Sequence, residues 1–326
     1  MVNICIVGFG SIGPVHAQAL KNIDNVNIYA VCDINRDKAD RGAKENSCKA
    51  YYDIDDALKD GNIDSIHICT PHYLHYEMIE KSVLAGKIVV VEKPVTMTKD
   101  EFSLLMKKYS NAPVYPVFQN RTNAAVVKLK SLISDTDANG KLLGIKGVQL
   151  WKRDAAYYGQ DKWRGTQKYE GGGVLINQAI HALDLIGYLG GGFESVKASS
   201  CNYSLENVIE VEDTVDARFV MKNGSIACFY ATNSFPFDTP VQIDMYFEKK
   251  TYSYTNGKLF CDNKVIAEND ANHIGKTCYG TGHIKLFDSV YNGVGDCVLL
   301  KDVENTMYGM FALYESAKNN GKEIEI

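Results

Sequence analysis

A lysine directly follows an apolar stretch that has the pattern of a buried strand. Residues 88–91 read Ile-Val-Val-Val, and Glu92, Lys93 and Pro94 come next with no polar turn between. In an open parallel sheet, ligands bind outside the carboxyl ends of the strands. The pattern therefore predicts a Lys93 amine held at that edge of a sheet, where an ammonium group stabilises developing alkoxide charge. The alternative is an ordinary exposed lysine after an edge strand.

A glycine-rich loop lies between the first apolar stretch and the first helical one. The sequence GFGSIG places Gly8 where a tight turn is needed, Gly10 where the backbone can approach a pyrophosphate, and Gly13 where helix and strand pack closely. Asp33 ends the next apolar stretch, where a carboxylate binds the ribose hydroxyls of NAD and repels the 2′-phosphate of NADP. We therefore expect NAD, although Arg36 nearby leaves NADP open. The alternative is a tight turn in another α/β protein.

Further polar residues follow the other apolar stretches and belong to the same predicted edge. His72 and His75 are expected to begin a helix and pack near the cofactor rather than bind a metal. The nine cysteines are scattered, without a CxxC pair, so we predict neither a metal site nor a disulfide framework. The predicted cofactor-binding residues are Gly8, Phe9, Gly10, Ser11, Ile12, Gly13, Asp33, Thr70, Pro71, His72, His75, Glu92, Lys93, Pro94, Asn120 and Arg121.

A second motif lies in the middle of the chain, within residues 163–192. On a helix, Asn177, His181, Asp184 and Tyr188 fall on one polar stripe, and apolar residues cover most of the remaining positions. So apolar a helix is expected to be buried, with its stripe facing a cavity. The alternative is the solvated face of an amphipathic helix. An imidazole titrates near pH ~6.5, which suits a general base at neutral pH.

The order of patterns predicts two domains with a boundary near residue 120. Apolar strands alternate with helical stretches over the first ~118 residues, which is typical of a doubly wound parallel sheet covered on both faces. We expect helices over 124–133 and from about 173 to 189, and a closing helix near the end. Residues 194–260 alternate in polarity and contain the turn signals KNGS and TNGK, which indicates antiparallel strands. The predicted domains are 1–120 and 121–326.

Composition excludes several classes of protein. The chain has 326 residues, 45% hydrophobic and 23% charged, as in an ordinary soluble globular protein. A net charge of −5 without a basic block argues against a nucleic-acid or membrane-surface partner. The amino terminus does not have the pattern of a signal peptide, and no apolar run approaches the ~20 residues of a membrane span. A reducing cytoplasm is the expected location.

Taken together, the motifs resemble the glucose–fructose oxidoreductase / inositol dehydrogenase (Gfo/Idh/MocA) family. The matching pieces are GFGSIG, TPHYLH, EKP, the pair Asn-Arg at 120–121, and GGG followed by Q-x2-H-x2-D. The resemblance implies a Rossmann domain followed by an α/β domain with a large, mostly antiparallel open sheet that forms a homodimer or homotetramer. It also implies that Lys93 and His181 are the catalytic pair, that the substrate is a sugar or polyol, and that the Lys93–Pro94 bond is cis.

One departure from the family concerns residue 177. Many members have aspartate where this chain has Asn177, so a Lys–Asp–His proton relay is not available, although the amide can still orient a hydroxyl or the imidazole. The NQxIH form with WRGT upstream is similar to members that act on nucleotide-linked N-acetylhexosaminuronic acids. The substrate-binding residues predicted from this resemblance are Asn177, Arg164, Arg153, Lys152, Trp163 and Tyr158.

The expected reaction is oxidation of a ring secondary alcohol, with the hydride passing to the nicotinamide. His181 is the expected general base. Lys93 either stabilises the alkoxide as an ammonium group or, with its pKa lowered by burial, passes the proton itself. Two other functions stay open: an NAD-dependent glycosidase that oxidises C3 transiently, and a non-catalytic sugar sensor. Both are known in the family that the chain resembles.

Overall fold

The computed structural model describes residues 1–270, 274 and 280–326, so Cys278 lies outside the described residues. The chain divides into two compact units, one formed by 1–122 with 272–303 and the other by 123–271 with 304–326. The first division lies two residues from the predicted boundary. The second unit differs from the predicted domain of 121–326, because the stretch ending at residue 303 returns to the first unit. Tyr291 explains this return, since its hydroxyl lies 2.7 Å from Ser65 and 2.6 Å from His67 in the first unit.

The first unit is built on a six-stranded parallel sheet. Its strand order is β3-β2-β1-β4-β5-β6. The order in which the chain adds strands switches from one side of β1 to the other between β3 and β4, and doubly wound sheets bind ligands at this switch point, between β1 and β4. Val89, Val90 and Val91 have no exposed surface, which agrees with a strand covered on both faces. The strands are β1 (Val2–Val7), β2 (Val26–Cys32), β3 (Lys49–Tyr51), β4 (Ser65–Ile68), β5 (Ile88–Val91) and β6 (Val114–Pro116).

The second unit is built on a mixed sheet of nine strands in the order β14-β13-β12-β11-β7-β10-β9-β8-β15. Its pairs are antiparallel apart from β7 with β10. Asn256 and Gly257 have positive φ in a turn the sequence predicted. The strands are β7 (Leu142–Leu150), β8 (Phe193–Cys201), β9 (Thr214–Met221), β10 (Ile226–Thr232), β11 (Gln242–Phe247), β12 (Thr251–Thr255), β13 (Lys258–Cys261), β14 (Lys264–Glu268) and β15 (Ile324–Glu325). The predicted fold class is confirmed for both units.

The helices begin and end close to the predicted positions. Asp53 caps the helix Ile54–Lys59 by accepting a hydrogen bond from the Asp55 amide. Short 3₁₀ helices span His72–Leu74, Gln119–Thr122 and Leu300–Val303. In the described part of the chain the α-helices are α1 (Gly13–Leu20), α2 (Arg36–Asn46), α3 (Ile54–Lys59), α4 (His75–Leu84), α5 (Lys99–Tyr109), α6 (Ala124–Ile133), α7 (Thr136–Asn139), α8 (Ala155–Tyr158), α9 (Ile180–Gly190), α10 (Gly282–Asn292) and α11 (Glu304–Lys318).

The mid-chain helix carries an irregularity that the sequence did not reveal. A π-helical stretch, Leu175–Ala179, precedes α9. Its hydrogen bonds join residues five apart instead of four, so each turn there holds more residues than an α-helical turn. Residues before and after this stretch therefore do not keep the spacing of a single α-helical stripe. Asp184 in particular is 1% exposed and accepts a 2.7 Å hydrogen bond from Thr306 of α11. The predicted cavity-facing stripe is thus wrong at Asp184, whose carboxylate joins two packed helices instead.

Among the described residues, no helix combines the length and apolar character that crossing a membrane requires.

Candidate active site

The glycine loop follows β1 directly and has the geometry of a dinucleotide cradle. Gly8 has φ +90°, and a Cβ there would lie 2.7 Å from the Cys69 carbonyl oxygen. A Cβ on Gly13 would lie 2.5 Å from the Gly8 carbonyl oxygen, so helix α1 begins in direct contact with the loop. A Cβ on Gly10 would have no atom of the described residues within 4 Å, so the position beside this backbone is open as far as those residues show. These residues fit a bound pyrophosphate without displacing protein atoms.

Asp33 links the end of β2 to this loop. Its Oδ2 accepts a 2.8 Å hydrogen bond from the Phe9 amide, and its Oδ1 accepts a 2.9 Å bond from the Asn35 amide. The guanidinium of Arg36 lies 4.1 Å from the centre of the Tyr52 ring. The carboxylate is therefore held at the place where an adenosine ribose is recognised in this fold, and it keeps lone pairs for further donors.

The ends of β4 and β5 are joined through His75. Its Nδ1 lies 2.7 Å from the Pro94 carbonyl oxygen and its Nε2 lies 3.0 Å from the Thr70 carbonyl oxygen. Burial lowers the pKa of His75, so the neutral ring donates to one carbonyl at a time. The predicted cis bond between Lys93 and Pro94 is confirmed. His72 and His75 begin the 3₁₀ helix and α4 respectively, and this too agrees with the sequence prediction.

Glu92 lies in a cluster of buried polar side chains that the sequence analysis missed. His16 Nε2 lies 3.0 Å from Glu92 Oε1, and the two Nδ1 atoms of His16 and His67 lie 2.8 Å apart. His67 Nε2 in turn lies 2.6 Å from the Tyr291 hydroxyl. A histidine between Ile66 and Ile68 in strand β4 was the signal available in the sequence. His16 and His67 are both fully buried, and the sequence analysis did not predict their burial.

Burial sets the protonation of this cluster. It lowers the pKa of His16, although the hydrogen bond to Glu92 acts in the opposite direction. It lowers the pKa of His67 well below the ordinary range. Burial alone would raise the pKa of Glu92, but hydrogen bonds from His16 and His283 outweigh it and hold that pKa well below its usual value. At neutral pH His16 and His67 are therefore neutral and Glu92 is a carboxylate.

Ligand-type atoms of His16, Glu92 and His283 lie within 4.8 Å of one another in the described part of the chain. Two imidazoles and one carboxylate are donors that zinc accepts. The contact from His16 Nε2 to Glu92 Oε1, at 3.0 Å, has the length of a hydrogen bond, and the contact from His283 Nε2, at 3.9 Å, is longer than one. That the protein has no metal site stays a prediction.

Asn120 and Arg121 lie in the 3₁₀ helix Gln119–Thr122 after β6. Arg121 is 7% exposed, and its Nη1 donates a 3.0 Å hydrogen bond to the Asp302 carbonyl oxygen. Arg121 thus binds the stretch that ends at residue 303. Its contact with the cofactor stays a prediction.

In the second unit, Asn177 is 9% exposed and its side-chain amide donates to Oε1 of Glu170. Oε2 of Glu170 accepts the amide of Gly165, which belongs to the WRGT segment. Glu170 is 1% exposed and was not among the predicted site residues. A buried carboxylate therefore lies beside the position where many members of the resembled family have an aspartate, and it accounts for an uncharged residue at 177, because two adjacent buried carboxylates repel.

A hydrogen-bonded network surrounds Gln178, the neighbour of Asn177. Gln178 Nε2 donates to the Tyr157 hydroxyl at 3.0 Å, and Arg164 Nη1 donates to the same hydroxyl at 2.7 Å. Asn233 Nδ2 lies 3.0 Å from both the Gln178 Oε1 atom and the Tyr158 hydroxyl. The predicted substrate residues Arg164 and Tyr158 are thus brought together with the helix that carries Asn177.

The three basic residues among the predicted substrate-binding residues, Arg153, Arg164 and Lys152, have different surroundings. Arg153 Nη1 bonds both carboxylate oxygens of Asp238, at 3.0 and 3.1 Å, and Arg164 Nε lies 3.3 Å from Asp161. Both guanidinium groups lie near the Tyr157 ring, at 5.2 Å and 4.9 Å from its centre. The Arg164 guanidinium also lies 4.8 Å from the Trp163 ring, and Lys152 is exposed. The arginines are therefore paired with carboxylates rather than bare.

Glu212 fixes the start of the mid-chain helix. Its carboxylate accepts hydrogen bonds from the amides of Gly173 at 2.9 Å and Leu175 at 3.1 Å, and from the Tyr314 hydroxyl at 2.9 Å. A Cβ on Gly173 would lie 1.8 Å from the Glu212 carbonyl oxygen, so only glycine fits there. Burial raises the pKa of Glu212 to about 7. His181 follows on α9 and is partly exposed. It belongs to the second unit, whereas Lys93 belongs to the first.

Two family models match the chain. One, described as an oxidoreductase family with an NAD-binding Rossmann fold, matches residues 2–115. The other, described as the GFO/IDH/MocA C-terminal domain, matches residues 126–253.

Relatives with differing substrates are similar to the chain. Myo-inositol 2-dehydrogenase of Thermotoga maritima is 26% identical over 269 residues, covering 80% of this chain and 75% of the relative. Glucose-6-phosphate 3-dehydrogenase of Bacillus subtilis is 27% identical over 267 residues, covering 79% and 75%. The solved structure of the WlbA dehydrogenase from Bordetella pertussis, in complex with NADH and UDP-GlcNAcA, is 26% identical, covers 100% of this chain and 98% of that one, and has a TM-score of 0.85.

Proposed function

Because the chain belongs to the Gfo/Idh/MocA family of NAD-binding oxidoreductases, we propose that Lys93 and His181 catalyse the oxidation by NAD⁺ of a ring secondary alcohol of a sugar, polyol or sugar derivative. The protein is an NAD-dependent oxidoreductase of the sugar and polyol dehydrogenase type, and relatives of the chain carry such names. The roles of individual residues and the substrate are parts of the proposal.

The first unit supplies the cofactor site. The loop from Gly8 to Gly13 holds the pyrophosphate, and Asp33 accepts the ribose hydroxyls. When bound, NAD⁺ accepts the hydride from the substrate carbon. The protein has two other tasks, which are to remove the hydroxyl proton and to stabilise the charge that develops on that oxygen.

The observation that carries the proposal is the way Lys93 is held. It follows β5 at the carboxyl edge of the sheet, its amide donates a 3.2 Å hydrogen bond to Glu92 Oε2, and the Pro94 carbonyl contacts His75. These contacts fix the backbone on both sides of Lys93, and so fix the point from which its side chain extends. In the proposal the Lys93 ammonium hydrogen-bonds the reacting oxygen and favours its anionic form.

His181 is the proposed proton acceptor. Imidazole side chains commonly act as general bases at neutral pH. Asn177, four residues earlier, is held through its amide by Glu170 and is proposed to orient the substrate hydroxyl. No proton passes through Asn177, because an amide does not accept one under these conditions.

We favour a substrate with an anionic group, as in a nucleotide-linked N-acetylhexosaminuronate. The support is the NQxIH and WRGT sequences, the similarity to a dehydrogenase solved with UDP-GlcNAcA, and the two arginines beside Tyr157. Each arginine is already paired with a carboxylate, so an anion would compete with Asp161 or Asp238 for it. The inositol and glucose 6-phosphate relatives define the other substrates to be compared.

The experiment is a thermal-shift screen with NAD⁺ present, followed by assays for NADH, over inositols, hexose phosphates, neutral sugars and nucleotide sugars. The proposal expects NADH formation with a sugar or polyol and the largest shift with a nucleotide-linked uronate. Release of an aglycone without accumulation of NADH would instead indicate the glycosidase. Binding of a sugar without turnover would indicate the sensor.

We also propose that copies of the chain associate through the nine-stranded sheet, as a homodimer or homotetramer. Tyr230 of β10 and Tyr246 of β11 are 40% and 41% exposed, and Ile266 of β14 is 40% exposed. Light scattering after chromatography tests this, with Tyr230→Glu expected to shift the protein towards monomer. A cytoplasmic location is proposed on the scattered cysteines alone, and cell fractionation tests it.

A further inference from the structure

A buried chain of hydrogen bonds in the first unit ends at the carboxylate that precedes Lys93. The Tyr291 hydroxyl lies 2.6 Å from His67 Nε2, the Nδ1 atoms of His67 and His16 lie 2.8 Å apart, and His16 Nε2 lies 3.0 Å from Glu92 Oε1. These side chains come from α10, β4, α1 and the end of β5. The proposed hydride transfer does not use these hydrogen bonds, so their role needs a separate explanation.

The protons in this chain of hydrogen bonds follow one direction. An ionised carboxylate only accepts hydrogen bonds, so the proton between His16 and Glu92 belongs to His16 Nε2. A neutral imidazole carries a single N–H, and His16 Nδ1 is therefore the acceptor for His67 Nδ1–H. His67 Nε2 then accepts from the Tyr291 hydroxyl. Each link has one donor and one acceptor when both rings are neutral, and the Tyr291 oxygen is then the acceptor in its 2.7 Å contact with the Ser65 hydroxyl.

The carboxylate of Glu92 is held at both oxygens. Oε1 accepts from His16, and Oε2 accepts the Lys93 amide at 3.2 Å. Helix α1, which begins at Gly13 of the glycine loop, carries His16 three residues further on. The hydrogen bonds thus connect the helix of the cofactor loop to the backbone that carries the Lys93 amine.

We propose that His16 is a positioning residue for Lys93 that acts through Glu92, and that His67 and Tyr291 hold the His16 ring in the tautomer that donates to Glu92. This inference rests on the proposed function of Lys93 in hydride transfer. Without the His16 donor, a buried carboxylate loses one of its partners and reorients, and the Lys93 backbone moves with it. Small displacements of a reacting group cost up to about 100-fold in rate.

Two substitutions of His16 separate its two nitrogens. His16→Gln keeps an amide N–H near the place of Nε2 and so can still donate to Glu92. His16→Asn is shorter and keeps a polar group only near Nδ1, on the side of His67. We expect kcat to fall roughly 10- to 100-fold in His16→Asn and about fivefold or less in His16→Gln, with the Kd for NAD and the KM for substrate within about threefold of wild type in both.

Tyr291→Phe removes the last link while keeping the ring, and provides a variant that is expected to fold if the His16 variants do not. Its expected loss in kcat is smaller, about three- to tenfold, because His16 and Glu92 keep their direct contact. Tyr29→Phe is the matched control in the same unit, since its hydroxyl bonds Asp60 at 3.2 Å and takes no part in the series. Tyr29→Phe should leave kcat unchanged.

A second measurement does not depend on turnover. Hydrogen exchange at the Lys93 amide should become faster in His16→Asn than in His16→Gln or wild type, because that amide donates to Glu92. If wild type oxidises no compound of the panel, the proposed function fails, and the exchange comparison still decides the positioning role. Equal exchange and equal kcat in the two His16 variants would overturn the inference. So would one equivalent of zinc in the purified protein that His16→Asn and His283→Ala both abolish, since the cluster would then be a metal site.

Discussion

The amide of Phe9 in the glycine loop donates a 2.8 Å hydrogen bond to the carboxylate of Asp33 at the end of β2. This contact joins the residue expected to hold the pyrophosphate to the residue expected to select the ribose. Cofactor affinity and cofactor choice are therefore expected to change together when Asp33 is altered.

Asp33→Asn tests this relationship. The amide keeps one oxygen for the Phe9 contact but loses the charge that ribose hydroxyls bind and that a 2′-phosphate avoids. We expect the Kd for NAD⁺ to rise about 10- to 30-fold and the preference over NADP⁺ to shrink by at least as much, measured by titration calorimetry. Asp37→Asn on the first turn of α2 is the control. Unchanged discrimination between the cofactors would show that Asp33 does not contact the ribose.

Gly173→Ala tests the close contact at the start of the mid-chain helix. A Cβ there would lie 1.8 Å from the Glu212 carbonyl oxygen, so the backbone would have to move. We expect destabilisation of roughly 3 kcal/mol or more, or failure to fold. Gly61→Ala is the matched control, because no atom lies within 4 Å of its Cβ position. A melting temperature for Gly173→Ala equal to that of the control would contradict the close contact.

Asn177→Asp places a second carboxylate beside Glu170. The like charges raise the pKa of the pair, so the variant should lose stability as pH rises through that range. We expect a loss of about 1–3 kcal/mol at pH ~7 and a smaller loss at pH ~5, followed by thermal melting. Glu170→Gln combined with Asn177→Asp should recover much of the loss, since one carboxylate then remains. Additive losses in the double variant would show that the two side chains do not interact.

Glu212→Gln tests the raised pKa of about 7 at the start of the helix. Because the folded-state pKa is above the unfolded value near 4.5, the folded protein binds the proton more tightly. Its stabilising effect is present below pH ~4.5 and is lost as pH rises towards ~7, a difference of roughly 2 kcal/mol for a partly buried group. The Gln variant should lack this component, so wild type and variant should differ in the slope of stability between those pH values. Parallel slopes would contradict the raised pKa.

The sequence was sufficient for much of the first unit because its signals are local. The glycine loop and the apolar strands each depend on neighbouring residues, and the structure has them at the expected positions. The return of α10 to the first unit was not predictable, because it depends on contacts of Tyr291 with residues more than 220 positions earlier.

Site residues that belong to a sequence motif could be predicted. Residues that reach the site only through tertiary packing could not. Glu170 lies between the WRGT and GGG sequences without belonging to either, and Glu212 lies outside residues 163–192. The spacing of these two residues does not indicate that they are buried partners of the helix. The π-helical stretch before α9 likewise follows from packing, and it removed Asp184 from the predicted stripe. The roles of Lys93 and His181 stay predictions. The motifs identify these two residues, and measurements of turnover are needed to assign their roles.

The most direct measurement compares turnover and cofactor binding in Lys93→Ala, with Lys99→Ala as an exposed-lysine control. The account predicts that kcat for Lys93→Ala falls by at least about 10³-fold while the Kd for NAD⁺ stays within about threefold of wild type. A loss of NAD⁺ affinity as large as the loss of rate, or a rate close to that of the control, would contradict the role of Lys93 in the chemical step.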